Sequence, residues 1–120
     1  MTLSDKQWLF LKNVAKLIQF AECNGWKLTG GELYRTADQQ KIYIRNGQTK
    51  SKYSRHQDRL AIDLNLFING QYVTSTEQYK PLGEFWRTLN KSNRWGGDWN
   101  SNGDTADESF LDGNHFEMVP

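Results

Sequence analysis

Apolar residues recur at three- and four-residue intervals along the first part of the chain, the spacing that places them on one side of an α-helix. The residues with this spacing are Trp8, Leu11, Val14, Ala15, Ile18 and Ala21. Ser4-Asp5-Lys6-Gln7 has the form of a capping box, and Asn24-Gly25 is a typical helix end. The pattern therefore predicts an amphipathic first helix between these two signals.

The spacing of apolar residues changes after this helix and separates it from a second one. The segment WKLTGGELYR, residues 26–35, is short and alternating, which favours a β-strand that ends at Arg35. Thr36-Ala37-Asp38-Gln39 follows directly as a second capping-box segment, and the helix that it begins should end near Asn46-Gly47. Arg35 is thus predicted to lie at a strand-to-helix junction.

After a polar loop, side chains of different character alternate again, and this pattern predicts a hairpin. One face of the strand carries Leu60, Ile62, Leu64 and Leu66, and the other carries Ala61, Asp63, Asn65 and Phe67. Asn69-Gly70 is a two-residue turn signal, so residues 60–73 should form a β-hairpin.

A third helix and a long loop complete the pattern. The helix is indicated by Tyr79, Leu82, Phe85, Trp86 and Leu89. It should begin at Ser75 or Thr76, with Pro81 weakening its first turns. A loop rich in Gly and Asp follows from Gly96 to about Ser109. Helices and hairpins separated in this way indicate an α+β fold, a small antiparallel sheet with flanking helices.

Composition excludes several classes of function. A chain of 120 residues is expected to form a single domain, and 15 Lys and Arg against 14 Asp and Glu give no general reason to expect a nucleic-acid partner or membrane insertion. The one cysteine, Cys23, excludes an internal disulfide and a thiolate metal site, so we expect an ordinary helix-end residue. The N-terminal apolar run contains Lys12 and Lys16 and no cleavage site, which argues against a signal peptide.

Asp63 is unusual because it is an ionisable residue within an apolar strand. A buried carboxylate costs several kcal/mol unless a cation, hydrogen-bond donors or water compensate it. His56 precedes it by seven residues, and the two side chains converge only if the chain bends between them, for which Gln57-Asp58-Arg59 is suited. A surface histidine beside an edge-strand aspartate is an equally good interpretation of this pair alone.

The second histidine favours a metal site. His115 lies in DGNHFE, three residues after Asp112, and the chain has 2 histidines in all. Two histidines and one carboxylate form a ligand set of catalytic zinc, which leaves one position for water. Peptide hydrolysis also requires a group that moves the proton of that water, and Asp112 is a candidate. A turn aspartate that caps a backbone amide is the simpler interpretation of Asp112 by itself.

These motifs together resemble peptidase family M15, the zinc D,D-peptidases and L-alanyl-D-glutamate peptidases. SRHQDRLAID resembles the Ser-x-His-(x6)-Asp signature of the family, and DGNHFE its Asp/Glu-x-x-His motif. YRTADQQKIY is similar to a Tyr-Arg-Thr/Ser segment of the family, and RWGGDW to a Trp-Gly-Gly-Asp segment of its phage-endolysin branch. The resemblance covers most of the chain and implies a fold like that of hedgehog and D,D-peptidase domains.

The resemblance also implies roles for individual residues. His56, Asp63 and His115 would bind zinc, and Asp112 would be the general base and acid. Arg35 would stabilise the oxyanion or hold a substrate carboxylate, with a structural salt bridge as the alternative, and Ser54 would orient the loop or the substrate. Arg59 departs from the family, which commonly has glycine there. Because a turn residue need not have a positive φ, we expect this change to alter the loop geometry and substrate contacts rather than the zinc ligands.

A second metal site is suggested by the loop that precedes Asp112. Asp98, Asn100, Asn102 and Gly103 follow the opening of an EF-hand-type calcium loop. The twelfth position holds Ser109 in place of the expected glutamate, so Asp107 or Glu108 would have to substitute in a shortened loop, with Asp104 as a further candidate ligand. A loop that binds no ion is the alternative. Calcium bound here would also order the chain beside Asp112 and His115.

The leading hypothesis is a zinc endopeptidase that cuts the stem peptide of bacterial peptidoglycan between L-Ala and D-Glu. It would be a monomeric, phage-type lytic enzyme that accumulates in the cytosol, reaches the cell wall after release, and has no separate wall-binding domain. A D-Ala-D-Ala carboxypeptidase or dipeptidase is the alternative within the enzyme class. A catalytically inactive wall-binding module is the alternative outside it. Trp95 and Trp99 line either the cleft or the core, and the core is favoured for both.

Overall fold

An antiparallel sheet organises the part of the chain that the structure describes. The structure, a computed structural model, describes residues 1–49, 53–106 and 112–119. Its helices are α1 (Leu3–Cys23), α2 (Ala37–Arg45) and α3 (Thr76–Leu89), with a 3₁₀ turn at Arg55–Asp58. Its strands are β1 (Lys27–Gly30), β2 (Ala61–Ile68), β3 (Gln71–Tyr72), β4 (Asn93–Trp95) and β5 (His115–Met118). The order in the sheet is β1-β2-β5-β4, and β3 pairs with β2. The predicted α+β fold is confirmed.

The hairpin predicted around Asn69-Gly70 is present. Phe67 pairs with Tyr72 and Ile68 with Gln71, which leaves Asn69 and Gly70 as the two turn residues. Both have positive φ, 53° and 77°, as a two-residue turn that matches the strand twist requires. The hairpin supplies β2, which also pairs with β1 and β5 and is the central strand of the sheet.

The two faces of the sheet carry different kinds of side chain. The leucine face of β2 is buried together with residues of α1, α3, β4 and β5. The largest side chains in this core are Phe10, Leu17, Leu60, Leu66, Leu82, Trp86, Trp95 and Phe116. The opposite face carries Asp63 on β2 and, directly across the ladder, its register partner His115 on β5. Packing therefore stabilises one face, while the other presents polar side chains.

The first helix differs from its prediction in two ways. Thr2 rather than Ser4 is the N-cap, because the Thr2 hydroxyl accepts from the amide of Asp5 and the Asp5 carboxylate accepts from the amide of Thr2. Of the predicted apolar face, Val14 and Ala21 are buried, but Trp8, Leu11 and Ile18 are 64%, 57% and 39% exposed. Phe10 and Leu17 are buried in their place, on a neighbouring side of the helix. The helix is apolar on two sides, so spacing alone did not identify the side that faces the core.

The strand predicted to end at Arg35 is wrong in its extent, because β1 ends at Gly30, where two consecutive glycines are unfavourable inside a strand. The predicted helices α2 and α3 lie close to their expected positions. Thr36 is the N-cap of α2 and accepts from the amide of Gln39, and α3 begins after Ser75 and contains Pro81. Cys23 is exposed at the end of α1, as expected. Within the described ranges, no helix has both the length and the apolar character needed to cross a membrane.

Candidate active site and metal centre

A short turn brings His56 towards Asp63. Ser54 caps this turn, because its hydroxyl accepts from the amide of His56 at 3.2 Å and its own amide donates to the Gln57 side chain at 3.0 Å. Arg59 ends the turn with φ 58° and ψ 35°, the left-handed conformation. The chain thereby reverses between His56 and the start of β2, at the place where the sequence predicts a bend. Arg59 does have a positive φ, so the argument that a turn residue need not have one does not apply to this turn.

The left-handed conformation of Arg59 leads to a stability prediction. An L-residue in this region carries strain of about 1–2 kcal/mol that glycine does not. The Arg59 guanidinium also lies over the Tyr34 ring, 4.1 Å from its centroid, so Arg59→Gly alone would combine relief of strain with loss of that contact. Both Arg59→Gly and Arg59→Ala lack the contact with Tyr34, so a comparison of these two variants isolates the effect of backbone strain. We expect the Gly variant to have the higher free energy of unfolding, by about 1 kcal/mol.

Urea denaturation of the two variants measures this difference. The same pair of substitutions at Glu84, which is exposed within α3, is the control. There alanine should be the more stable residue, by about 1 kcal/mol, because glycine is unfavourable inside a helix. Equal stability of the two Arg59 variants would show that the turn relaxes without the left-handed residue.

Three side chains converge on one point beside the polar face of the sheet. His56 Nε2 lies 3.3 Å from Asp63 Oδ1, and His115 Nδ1 lies 3.4 Å from the same oxygen. Ligand atoms of these three residues all lie within 4.8 Å of one another. His56 Nε2 and Asp63 Oδ1 are buried, yet neither has a hydrogen-bond partner of suitable geometry among the described residues. Buried polar atoms without partners are costly, so this arrangement fits a bound cation.

The other nitrogen of each imidazole has a hydrogen-bond acceptor. His56 Nδ1 lies 3.0 Å from the carbonyl oxygen of Leu33, and His115 Nε2 lies 2.7 Å from Glu117 Oε1. Since a carbonyl and a carboxylate only accept, each imidazole donates there, and its remaining nitrogen is the one that faces Asp63. Both histidines are therefore oriented as metal ligands are in proteins.

Mutual contacts shift the pKa values in the metal-free site. Burial alone would raise the pKa of Asp63, but its close contacts with His115 and His56, at 3.4 and 3.3 Å, outweigh burial and lower this pKa to about 2. Burial alone would lower the pKa of His115, but its close contact with Asp63 and its hydrogen bond to Glu117 raise this pKa to about 9. His115 is thus protonated at neutral pH without a metal, and metal binding there displaces a proton.

Asp112 lies at the edge of the three-residue cluster. Its Oδ2 is 3.9 Å from His115 Nδ1, and its side chain is 39% exposed. Backbone hydrogen bonds fix its position, since the Asp112 amide donates to Gly96 O at 2.9 Å and the His115 amide donates to Asp112 O at 3.0 Å. Burial raises the pKa of Asp112 above the ordinary carboxyl value. The group is therefore close enough to the cluster to exchange protons with a molecule held there, and its raised pKa makes it a stronger base than an ordinary carboxylate.

Arg35 directly precedes Thr36, the N-cap of α2, and lies at the end of the segment that joins β1 to this helix rather than at the end of the strand itself. Several contacts hold its guanidinium. It donates to Glu32 through Nε at 2.7 Å and also through Nη2, and to Gln40 through Nη1 at 2.8 Å. The Tyr43 ring lies beneath it at 4.6 Å. The structural salt bridge considered for Arg35 is thus present, yet Arg35 also lines the cleft over the cluster.

A cleft of about 620 Å³ opens onto the cluster. Its lining residues include Arg35, Tyr53, Ser54, Arg55, His56, Arg94, Trp99, Asp112, His115 and Glu117. The set combines a candidate metal centre, a neighbouring carboxylate and several arginines. The described residues thus offer an anionic or peptide substrate a binding site directly over the candidate metal ligands.

Comparison with known proteins identifies the family. The sequence profile of the phage L-alanyl-D-glutamate peptidases matches residues 9–119. The chain belongs to this family. It is therefore an enzyme, a peptidase of the class that hydrolyses peptidoglycan, and the leading prediction of an L-Ala-D-Glu peptidase is confirmed at the level of the family. No curated protein sequence is significantly similar to the chain.

A solved structure agrees with the fold of this L-alanyl-D-glutamate peptidase family member. The Serratia marcescens L-Ala D-Glu endopeptidase ChiX has a TM-score of 0.69, with 92% of this chain and 77% of that one covered. Sequence identity between the two is 18%. At this identity the likeness concerns the fold, and it agrees with the predicted peptidase-like architecture.

The two tryptophans of the Trp-Gly-Gly-Asp segment in this peptidase lie in different places. Trp95 is 1% exposed and belongs to the core, as predicted. Trp99 lines the cleft, and its ring centroid lies 5.3 Å from that of His115. The core assignment is therefore wrong for Trp99. The two residues are separated by Gly96-Gly97 and buried Asp98, where the chain leaves β4 and passes to the cleft.

The candidate calcium loop of the peptidase is partly described. Asp98 is buried and accepts from the amides of Asn102 and Gly103 and from Arg87. Asn100, Asn102 and Asp104 each accept an amide two residues further along the loop. Asp107 and Glu108, also considered as ligands, lie outside the described residues. These hydrogen bonds shape the loop, and calcium binding by it remains a prediction.

Two glutamates of the site were not found from the sequence. Glu32 binds Arg35 and Tyr43 and comes within 4.0 Å of His56 Nε2, and Glu117 accepts from His115. Glu117 could have been found from the alternation of side chains along a strand. It follows His115 by two residues on a strand and therefore shares its face. No comparable signal exists for Glu32, which lies in the loop after β1 and reaches the site through tertiary contacts.

Proposed function

We propose that the chain is a zinc-dependent endopeptidase that hydrolyses the L-Ala-D-Glu bond of the peptidoglycan stem peptide. The observation that carries the metal assignment is the convergence of His56, Asp63 and His115, with His56 Nε2 and Asp63 Oδ1 buried and unpartnered among the described residues. Family membership supports the bond that is cut.

The donor set favours zinc over other common ions. Calcium and magnesium prefer oxygen ligands in larger numbers, whereas two imidazoles and one carboxylate suit a catalytic zinc ion with an open position. The lowered pKa of Asp63 supports a bound cation in general, because the carboxylate is ionised across the physiological range and requires no proton release on binding. When bound, zinc supplies Lewis acidity towards a water molecule and the scissile carbonyl.

Asp112 and Arg35 provide the remaining chemistry in this proposal. Asp112 accepts a proton from the attacking water at its carboxylate and passes it to the leaving amine of D-Glu. Arg35 directs a fixed positive charge into the cleft, where it stabilises the oxyanion that forms at the carbonyl. Glu32 and Gln40 hold the guanidinium in place, so little reorganisation is needed, and such a group typically contributes about 3 kcal/mol to lowering the barrier.

Digestion of purified peptidoglycan with and without a chelator tests the proposal. We expect products with a new N-terminal D-Glu, identified by mass, and loss of activity with the chelator that added zinc restores. Release of D-Ala instead would assign the alternative D-Ala-D-Ala activity. Full digestion by a chelated protein that metal analysis shows to be free of zinc would contradict the metal mechanism.

A further inference from the structure

The two ring nitrogens of His115 face different partners. Its Nδ1 points towards Asp63, while its Nε2 points away from the cluster, towards Glu117. A neutral imidazole carries its single proton on one nitrogen or the other. If Nδ1 is to bind a metal, the proton must therefore reside on Nε2, and the ring must be prevented from turning over.

Glu117 is placed to impose this arrangement. Its side chain is 6% exposed, and its Oε1 lies 2.7 Å from His115 Nε2. Its other oxygen, Oε2, accepts from Arg94, from Nε at 3.2 Å and from Nη2 at 2.8 Å. One carboxylate oxygen is thus bound by the arginine and the other is directed at the imidazole.

The backbone fixes both contacts. Arg94 on β4 and Glu117 on β5 are register partners across an antiparallel ladder, so their side chains lie on the same face of the sheet. His115 is two residues before Glu117 on the same strand and shares that face. Trp99 lies against both ends of this group, with its ring 5.7 Å from the Arg94 guanidinium carbon and 5.3 Å from the His115 ring.

We propose that Glu117, held by Arg94, is a positioning residue that keeps the His115 proton on Nε2 and its Nδ1 directed at the metal site. The inference rests on the metal centre of the proposed function and extends it to two residues outside the predicted ligand set. In this role Glu117 acts through His115 and not on the scissile bond. An acceptor of this kind typically changes metal affinity by about 10–100-fold when it is lost.

Zinc affinity of the Glu117 and Arg94 variants tests this role. Zinc would be titrated in competition with a chelator of known affinity, without substrate. We expect the dissociation constant of Glu117→Ala to rise by about 10–100-fold. Glu117→Gln should lie between this variant and the parent, because its amide oxygen still accepts from Nε2 but carries no charge. Arg94→Ala should weaken binding in the same direction, and Arg94→Lys should weaken it less.

The pair between Arg87 and Asp98 provides the matched control. It also joins an arginine to a buried carboxylate, with 3.2 Å between Nη1 and Oδ2, and no described hydrogen bond connects it to His115. Arg87→Ala should therefore reduce stability while leaving the zinc dissociation constant within about twofold of the parent. An equal loss of zinc affinity in Arg87→Ala would overturn the specific role of Glu117.

The imidazole tautomer gives a second readout that does not depend on how well a variant folds. Nitrogen NMR of the zinc-loaded parent labelled at histidine should show the His115 proton on Nε2, and a proton on Nδ1 would overturn the inference. A parent that binds no zinc would overturn the proposed function and this inference together. A parent that binds zinc, with Glu117→Ala and Glu117→Gln both unchanged in affinity, would overturn this inference alone.

Discussion

Replacement of Asp112 by asparagine should lower kcat by about 10²–10⁴-fold, the range that loss of a general base and acid typically produces. Asparagine has nearly the same shape but cannot accept the proton of the attacking water. Because the Asp112 carboxylate lies 3.9 Å from His115 Nδ1 and outside the three-residue cluster, zinc content should not change. The acidic limb of the kcat/KM profile, where Asp112 becomes protonated in the parent, should also disappear in the variant.

The effect of this substitution is measured on purified peptidoglycan, from the rate at which peptides with a new N-terminal D-Glu appear. The zinc content of each protein is determined in parallel. Asp38→Asn is the control, since it makes the same chemical change at an exposed position in the first turn of α2. This control should retain the activity of the parent. An Asp112→Asn enzyme that keeps its zinc and works within tenfold of the parent would refute the assigned base. Loss of zinc along with activity would instead make Asp112 a metal ligand.

The hairpin and the polar residues within it could be predicted from sequence because local rules determine both. Alternation places Asp63 on the face opposite the leucines, and Asn69-Gly70 fixes the turn that sets the register of β2 with β3. The bend after His56 was also expected, since an unbroken strand would separate it from Asp63. Pairing of Asp63 with His115, about fifty residues away, was inferred from the motif rather than from any local rule.

Other features depend on tertiary contacts and were therefore predicted wrongly or not at all. Trp8 and Phe10 both belong to apolar stripes of α1, and only packing against the rest of the fold determines that Phe10 is buried. Arg59 adopts a left-handed conformation that its residue type disfavours, at the point where the chain turns between His56 and β2. Glu32 reaches His56 from a separate part of the chain. None of these features follows from spacing within a short window.

The site combines rigid and irregular elements. Asp63 and His115 are register partners on paired strands, so the sheet itself fixes two of the three proposed ligands. His56 and Asp112 are carried by a turn and a loop, and each is held by backbone hydrogen bonds to neighbouring segments: His56 O accepts from Arg35, and Asp112 O from His115. Catalytic groups in loops are precise only when such contacts hold them. The backbone around Asp112 is therefore where a small steric change should have a large effect.

Gly96→Ala should lower kcat/KM by about 100-fold, because the added methyl group would displace the backbone of Asp112. A Cβ at Gly96 would lie 2.1 Å from the carbonyl oxygen of Asp112 and 3.1 Å from its Cβ. The nearest atom belongs to the backbone and cannot rotate away. Either Asp112 or the chain at Gly96 must therefore move, at a typical cost of about 1–3 kcal/mol in stability. Displacement of a catalytic group by about 1 Å is sufficient for a 100-fold loss of rate. The close approach of these two segments gives a physical reason for glycine in the Trp-Gly-Gly-Asp segment.

Gly30→Ala is the control for this substitution, because a Cβ at Gly30 would have no heavy atom within 4 Å. Alanine there should leave kcat/KM unchanged and should not lower the free energy of unfolding, since glycine inside a strand is itself unfavourable. Steady-state kinetics, zinc content and urea denaturation of both variants distinguish a local from a global effect. A Gly96→Ala enzyme with the kcat/KM of the parent would show that Asp112 tolerates displacement, which is incompatible with a proton-transfer role that depends on its fixed position beside His115.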